Sequence, residues 1–549
     1  MSLHVSPSTP IPAETVRVAH AAFPKGTMGM QMRDTLGPLS EDGQFAALFS
    51  QTGQPAAAPA RLALVLVLQC AEGLSDRQAA DAVRGRIDWK YALALELTDP
   101  GFAASVLSEF RTRLRHGGAE HLLLEPLLRR LEERDLLKAR GTHRTDSTHI
   151  LAAIRTLNRL ELVGETRRYA LNRLAVAAPA WLRAHMQPAW CERYSHRVEN
   201  DQCPKAAADR QQLATTIGAA GFALLQVAYA PDAPPEVRWL PAIEVLRQIW
   251  VQQYYGASNP PRWRHEPDVP PAAQLIHSPY DLDARDRLQH GTAWVGYKAP
   301  ATETCDDDTP HGLTHVETTP ATTPDDNMVE TIHAALAAQA LLPRQHRVDC
   351  GYTDSETLVT SAQDSGVHMV GPVAADPSWQ AREGTGYDQS AFTIDWEAHT
   401  APCPHGKQSR KWQPAQEVTG QEVIQIRFAQ KDCRACPVRA ACTRAHTAPR
   451  TLTVRTQIYH AARQAARQHQ TTAACKEHYA MRAGMESTLS QGVRAFDLRR
   501  SRSIGLAKTH LQHIFIAVAM NLKRVMAWFT HPQPTKRRVS PLAALASSG

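Results

Sequence analysis

The chain lacks a long apolar run. The longest one, RLALVLVLQCA at 61–71, is shorter than the roughly 20 residues that a membrane-spanning helix needs. The first twenty residues contain Pro, Glu and His but no continuous apolar segment of the kind found in a signal peptide. We therefore expect neither a membrane span nor a secretion signal, and we predict a soluble cytoplasmic protein.

A strong net charge of either sign is also lacking. The 549 residues include 61 Lys and Arg against 54 Asp and Glu, which gives a formal net charge of +7. This balance alone is weak support for a polyanionic partner. The positive charge is concentrated, however, because the chain from 481 to its end holds eleven Lys and Arg and only two acids. Such a region can neutralise phosphates, although a solvated surface with a basic tail explains the same charges.

Length and composition predict a globular protein of several domains. Hydrophobic residues make up 43% of the chain, which is enough for a sizeable core, and this length suggests three or more domains. The predicted units are a flexible arm at 1–35, a helical N-terminal DNA-binding domain at 36–140, an α/β core at 141–373 with a helical insertion at 151–275, a Cys-rich module at 374–455, C-terminal core helices at 456–530 and a basic tail at 531–549.

Residues 36–140 show helical periodicity. Ser75 followed by Gln78 matches a capping box, and Gly117–Gly118 separates two further helices. Several short helices with basic residues favour a helix-turn-helix-like DNA module, but an ordinary small helical bundle fits the same pattern. The DNA contacts predicted in this module are Arg84, Arg86 and Lys90.

Strand and helix signals alternate after residue 141. THRTDSTHIL predicts a first strand, and TAWVGYKAP and GLTHVETTPAT predict two more after the helical insertion. A helix at about 327–341, a short strand that ends at Asp349, a second helix and the strand GVHMVGPV follow. This order predicts a mixed sheet with helices packed against it.

Three acidic residues are candidates for one metal site. Asp146 lies inside the first predicted strand, Asp349 ends a later one, and Glu486 lies on a helix. Tyr479, Arg482 and Glu486 are spaced i, i+3, i+7, which places them on one helical face. Carboxylates suit Mg²⁺, and two such ions about 3.5–4 Å apart can activate the attacking oxygen and stabilise the leaving one in phosphodiester chemistry. We expect Arg482 to contact the scissile phosphate or brace Glu486, and Tyr479 to contact the DNA backbone. Because the chain has 54 Asp and Glu, spacing alone leaves a chance grouping open.

Four of the ten cysteines cluster between 403 and 442. They are Cys403, Cys433, Cys436 and Cys442. In a cytosolic chain such a cluster favours metal over disulfides, and four thiolates suit a tetrahedral structural Zn²⁺. Neighbouring Lys, Arg and aromatic residues indicate a DNA-facing module. Four reduced thiols in a loop are the alternative reading, and His405 and His446 are alternative ligands.

Five stretches together resemble a known family. They are RTDSTHILAAIRTLNRLELVGETRRYALNRLA, SPYDLDARD, WVGYK, VDCGYTDSETL and YAMRAGMESTLSQGVRAFDLRRSRSIGLAKTHLQH. In this order, from about residue 30 to about 530, they resemble the DDE transposases of bacterial insertion sequences, of the eleven-eighty-two type. The resemblance implies an RNase H-like catalytic core whose two Asp and one Glu fall on Asp146, Asp349 and Glu486.

The same resemblance implies further roles. The Tyr-x2-Arg-x3-Glu pattern of related transposases matches Tyr479, Arg482 and Glu486, but their Lys seven residues after the Glu is Val493 here, so Arg494 or Lys508 is its candidate replacement. The implied cofactors are two Mg²⁺ or Mn²⁺ ions, and the partner is double-stranded DNA, bound by a homodimer in the bacterial cytoplasm at the nucleoid. The DNA contacts predicted in the basic region are Arg494, Arg499, Arg500, Arg502 and Lys508.

The function predicted on this basis is a transposase. It would bind the terminal inverted repeats of its element, cleave the DNA ends and join them to target DNA. Two alternatives remain at this stage: a catalytically inactive or co-opted DNA-binding protein, and an RNase H-like nuclease without strand transfer.

Overall fold

The structure, a computed structural model, describes residues 2–3, 5, 10–256, 260–289, 291–418 and 420–530. The predicted basic tail at 531–549 lies outside these residues. Within the described part of the chain, no helix combines the length and apolar character needed to cross a membrane.

Seven α-helices form the N-terminal part of the chain. They are α1 (Ala13–Ala22), α2 (Met28–Leu36), α3 (Pro59–Glu72), α4 (Asp76–Gly85), α5 (Ile87–Ala92), α6 (Ser105–His116) and α7 (His121–Glu132), with a 3-10 helix at Asp42–Leu48. The capping box predicted at the start of α4 is present, because Gln78 N donates to Ser75 Oγ and Ser75 N donates to Gln78 Oε1.

The segment predicted as a flexible arm contains α1 and α2 instead. Ala19 and Met30 are fully buried and pack with Tyr91 of α5. Thr15 Oγ1 also donates a hydrogen bond to Leu95 O at 2.8 Å. The partners that order the segment lie some sixty or more positions further along the chain, so local periodicity does not reveal them.

The first strand of the core, β1 (Thr142–Leu151), leads directly into a helical insertion with its own hydrophobic core. Asn158 caps the first of these helices, and Glu161 completes its capping box. The insertion consists of α8 (Arg159–Ala177), α9 (Pro179–His185), α10 (Pro188–Tyr194), α11 (Ala207–Ala228), α12 (Pro235–Arg238), α13 (Pro241–Gln253) and the hairpin β2 (Tyr254–Tyr255) and β3 (Arg262–Trp263).

The next elements complete a seven-stranded mixed sheet. They are β4 (Arg285–Gln289), β5 (Thr292–Thr304), β6 (Leu313–Val316), β7 (Thr319–Pro320), α14 (Val329–Ala338), β8 (Gln345–Arg347), α15 (Ser355–Asp364) and β9 (His368–Val370). The main strand order is β4-β5-β1-β8-β9, with β6 and β7 paired to β5. β5 is antiparallel to β1, whereas β8 is parallel to β1 and β9 is parallel to β8. The predicted mixed α/β fold is confirmed.

A small three-stranded sheet and seven helices follow. The elements are α16 (Trp379–Glu383), β10 (Ser409–Gln416), β11 (Glu422–Phe428), α17 (Gln430–Arg434), α18 (Arg439–Cys442), β12 (Thr451–Arg455), α19 (Gln457–His469), α20 (Ala473–Ala480), α21 (Ala483–Phe496) and α22 (Leu506–Thr530). Helix α22 packs against α3, α7 and β6. The buried Asn521 on α22 also brackets the backbone of Leu313, accepting from its N–H at 2.7 Å and donating to its carbonyl at 2.8 Å. The N-terminal helices and the main sheet therefore share one core.

Candidate active site

The two predicted aspartates lie at equivalent distances beyond one paired position of neighbouring parallel strands, Asp146 within β1 and Asp349 just after β8, which ends at Arg347 and not at Asp349 as predicted. β1 and β8 pair with Arg144 opposite Arg347, and Asp146 and Asp349 each follow that pair by two residues. The parallel pairing therefore brings two acids that are distant in sequence to the same edge of the sheet.

A backbone amide orients each of these carboxylates. Ser147 N donates to Asp146 Oδ1 and Gly351 N donates to Asp349 Oδ1, both at 2.8 Å. Burial raises the pKa of Asp146 and the charge of Asp349 adds to the rise, whereas Arg482 opposes it. An environment that disfavours the charged form of the Asp146 carboxyl in this way is one in which a nearby cation is stabilised.

Arg482 connects Asp146 to the third predicted acid. Its Nη1 donates to Asp146 Oδ2 at 2.8 Å, and its Nη2 donates to Glu486 Oε1 at 3.2 Å. The side chain of Arg482 is 13% exposed, while that of Glu486 is 66% exposed. The guanidinium carbon lies 5.6 Å from the centre of the Tyr479 ring. The structure thus brings Tyr479, Arg482, Glu486 and Asp146 together.

The predicted single helix through these residues is interrupted. Tyr479 lies on α20 and Glu486 on α21, and Arg482 is the N-cap residue between them. The buried Arg144 fills the interruption, because its Nη1 donates to Met481 O at 2.6 Å. A Cβ on Gly484 would lie 2.1 Å from that guanidinium, so glycine permits α21 to approach.

A buried ionic network that sequence reasoning missed anchors α21 to the sheet. Glu303 on β5 is fully buried and pairs with Arg144 at 2.7 Å and with Arg524 at 2.6 Å. Thr488 on α21 donates to the same carboxylate at 2.8 Å. The available signal was the presence of the charged residues Arg144 and Glu303 within predicted strand segments.

Sequence reasoning also missed a fourth acid beside Asp349. A Cβ on Gly351 would lie 3.1 Å from Asp349 Oδ1 and 3.3 Å from Asp325 Oδ2. Asp325 forms an ion pair with Lys298, whose side chain is 3% exposed. Lys298 belongs to the WVGYK stretch quoted above. A lysine inside a buried strand was the signal in the sequence that could have indicated an acidic partner such as Asp325.

Two further basic residues face the acids. Asp146, Glu486, Arg494 and Arg499 line one pocket of about 440 Å³, which we call the catalytic pocket. Arg499 Nε donates to Thr148 Oγ1 at 2.9 Å. Val493 also lines this pocket, whereas Lys508 lines a separate groove between α3, α4, α6 and the region 496–516.

The three carboxylates have the donor chemistry that Mg²⁺ or Mn²⁺ requires, since all supply hard oxygen ligands. Within the described ranges, however, no three His, Cys, Asp or Glu side chains are grouped closely enough to hold a metal ion. The guanidinium of Arg482 lies between Asp146 and Glu486. A metal would therefore have to bind with a rearrangement of Arg482 and Glu486.

The four clustered cysteines line one pocket of about 400 Å³ together with His405. They are free thiols, and Cys403, Cys433 and Cys442 pack against the core of the three-stranded sheet. Burial raises the pKa of Cys442, and the other three thiols add to the rise. His446 is exposed.

The predicted DNA contacts of the N-terminal domain have partners inside the protein. Arg84 pairs with Asp81, and Arg86 pairs with Glu72 and Asp88. Lys90 is 3% exposed, and its ammonium donates to the carbonyls of Glu96 and Asp99. By contrast, Arg500, Arg502 and Lys508 are exposed.

Two family models match the chain. The one described as transposase DDE domain covers residues 402–526, and the one described as transposase domain (DUF772) covers residues 18–113. Both matches are to transposase domains, and together they are consistent with a DDE transposase. The resemblance to the DDE transposases of insertion sequences is thereby supported, and a nucleic-acid-acting enzyme is the activity that such domains suggest.

The DDE match includes the cysteine pocket and Glu486 of the transposase, whereas Asp146 and Asp349 lie outside the matched range. Their assignment therefore rests on the register of β1 and β8 and on the contact with Arg482. No curated protein matches the chain.

Proposed function

We propose that this transposase binds the terminal inverted repeats of an insertion sequence, cleaves the DNA ends and joins them to target DNA by metal-dependent phosphodiester chemistry. The observation that carries the proposal is the equivalent placement of Asp146 within β1 and Asp349 just after the parallel strand β8, with Glu486 connected to Asp146 through Arg482.

The topology of the sheet supports an RNase H-like core. Strand β5 is antiparallel to both β1 and β6, and on the other side of β1 the sheet continues with β8 parallel to β1 and β9 parallel to β8. This mixed arrangement supports the RNase H-like core that the family resemblance implies. In it the two aspartates lie at the centre of the sheet and the glutamate comes from a helix that packs across it.

Asp146, Asp349 and Glu486 are the residues that would hold Mg²⁺ or Mn²⁺. Two bound ions would supply Lewis-acid stabilisation of the attacking and leaving oxygens. The backbone amides of Ser147 and Gly351 fix one oxygen of each aspartate. The second oxygen of Asp146 accepts from Arg482 and would become available to a metal if that guanidinium moved. Arg482, which is hydrogen-bonded to both Asp146 and Glu486, is placed to turn from Asp146 towards a phosphate, where its planar fork suits bidentate contact.

Arg494 and Arg499 contact the phosphates next to the scissile bond in this proposal. Both line the catalytic pocket, and Arg494 is the neighbour of Val493, where related transposases carry a lysine. Arg494 therefore takes the place of that lysine. Lys508 belongs to a different groove.

The cysteine pocket binds one structural Zn²⁺ in this proposal. Its support is that Cys403 and the three thiols between 433 and 442 line one pocket next to a small three-stranded sheet. A zinc ion bound there would cross-link the two segments that contain these thiols. Joining two element ends requires two catalytic pockets, so we propose a homodimer in the DNA complex.

The test is a cleavage assay on labelled DNA that spans the flanks of the gene. Wild type and Asp349→Asn are incubated with Mg²⁺ or with EDTA, and DNA binding is measured in parallel. We expect cleavage at a defined end by wild type with Mg²⁺ only, and none by Asp349→Asn despite unchanged binding. Binding without cleavage by wild type in any divalent metal would favour the catalytically inactive DNA-binding protein.

A further inference from the structure

A basic groove joins the N-terminal domain to the region that follows α21. The groove has a volume of about 380 Å³ and is lined from one side by α3, α4 and α6 and from the other by residues between 496 and 516. Its basic lining residues are Arg111, Arg115, Arg502 and Lys508. We call it the interdomain groove.

The charge of the interdomain groove is largely uncompensated. Asp76 is the one acid among its described lining residues, and Arg111 and Gln69 already engage both of its oxygens. Arg115, Arg502 and Lys508 have no acidic partner in the part of the chain that the structure describes. Hydroxyl and amide side chains of Ser108, Thr112 and Gln512 lie among them. Cations with hydroxyl and amide donors between them suit a row of phosphates.

The interdomain groove and the catalytic pocket are separate cavities that are lined by neighbouring residues of one short segment of the chain. Arg499 lines the pocket and Arg502 lines the groove, and three residues of chain span at most about 11 Å. Successive phosphates of one DNA strand lie closer than that, so one strand can contact both sites.

We propose that the interdomain groove binds the backbone of the DNA duplex whose end lies in the catalytic pocket, through Arg115, Arg502 and Lys508. The N-terminal domain then contacts DNA through α6 and not through Arg84, Arg86 and Lys90, which are paired internally. This inference rests on the proposed function, because the identity of the occupant follows from the reaction assigned to the neighbouring pocket.

The test compares two triple variants of the full chain that remove the same charge. The groove variant is Arg115→Ala, Arg502→Ala, Lys508→Ala. The control is Arg183→Ala, Arg193→Ala, Lys205→Ala, three exposed cations of the helical insertion. Binding of a fluorescent duplex carrying the gene's flank is measured by anisotropy at several salt concentrations, and thermal melting checks that both variants fold.

Each phosphate contact contributes about 0.9 to the slope of log K against log salt concentration. We expect the groove variant to bind more weakly with a slope shallower by about 2.7, while the control keeps the wild-type slope. Equal slopes for the groove variant and wild type, or an equal loss in both variants, would overturn the groove assignment. Cleavage of the same duplex by wild type is measured as well. If wild type does not cleave but only the groove variant loses DNA binding, the proposed function is overturned and the groove assignment stands. A wild type that does not bind the duplex would overturn both.

Discussion

Arg482 lies 2.8 Å from the carboxylate of Asp146, although 336 positions separate the two residues in the chain. The same guanidinium contacts Glu486 at 3.2 Å. A single cation therefore connects an acid of the central strand to the acid on α21. The guanidinium lies between two carboxylates that would both have to turn towards a divalent metal bound at this site.

Replacing Arg482 should separate metal binding from catalysis. In Arg482→Gln, the loss of a positive charge next to Asp146 and Glu486 removes a repulsion that opposes a divalent cation. We expect Mn²⁺ to bind more tightly, as measured by calorimetry, while DNA cleavage slows by about 10²-fold or more because a charged contact to the phosphate is lost. Arg482→Lys keeps the charge and should show wild-type metal affinity. Weaker Mn²⁺ binding in Arg482→Gln would contradict this role.

The sequence indicated candidate residues for the site but not the contacts that support them. Asp146, Asp349 and Glu486 could be proposed because the motifs around them are local and their strands or helix have clear patterns. The helix break at Arg482 was missed because its cause is Arg144 from β1, whose guanidinium takes the space beside Gly484. A contact between a strand and a helix that are so far apart in the chain produces no periodic pattern in the sequence.

In the N-terminal part, too, local patterns were predicted correctly and long-range contacts were not. The capping box at Ser75 is a local pattern and was predicted correctly. The folding of the segment predicted as a flexible arm into α1 and α2 depends on distant partners in α5 and was not predicted. Basic residues such as Lys90 look available to DNA in the sequence, because nothing local shows that the carbonyls of Glu96 and Asp99 surround the ammonium.

Arg494 should act on the chemical step. It lines the catalytic pocket with Asp146 and Glu486, so Arg494→Ala should lower kcat for cleavage by about 10- to 100-fold, whereas Arg494→Lys should retain most of it. Lys508→Ala should instead raise the DNA concentration needed for half-maximal rate, because Lys508 lines the interdomain groove. Single-turnover rates at saturating DNA separate the two effects. A larger loss of rate in Lys508→Ala than in Arg494→Ala would show that Lys508 replaces the missing lysine.

The cysteine pocket should contain zinc. We expect close to one zinc per chain in the purified protein by atomic emission, because four thiols line one pocket. Cys433→Ser should lose most of it and melt at a lower temperature. Cys191→Ser is the matched control, since Cys191 is an exposed free thiol of the helical insertion. Unchanged zinc in Cys433→Ser would rule this site out.

Acid should destabilise the fold through buried histidines. Burial lowers the pKa of His143 to about 3 and that of His333 to about 4, against about 6.5 in an unfolded chain. As the pH falls below 6.5 the unfolded state binds protons that the folded state does not, so stability is lost at about 1.4 kcal/mol per pH unit for each such group. Between pH 7 and pH 5, His143 alone should account for about 2 kcal/mol.

Urea unfolding of His143→Phe at the two pH values measures this contribution. The variant should lose about 2 kcal/mol less than wild type between pH 7 and pH 5. His196→Phe, which changes an exposed histidine, should lose as much as wild type. A pH dependence of His143→Phe identical to that of wild type would show that His143 can be protonated in the folded protein.

The central claim is that Asp146, Asp349 and Glu486 form one metal-dependent site. The most direct measurement is the cleavage rate of Asp146→Asn, Asp349→Asn and Glu486→Gln on the gene's flanking DNA with Mg²⁺, beside Glu477→Gln, an exposed acid of α20. We predict that each of the three loses at least about 10²-fold in rate with DNA binding retained, and that Glu477→Gln cleaves like wild type. Wild-type cleavage by any one of the three would contradict the account.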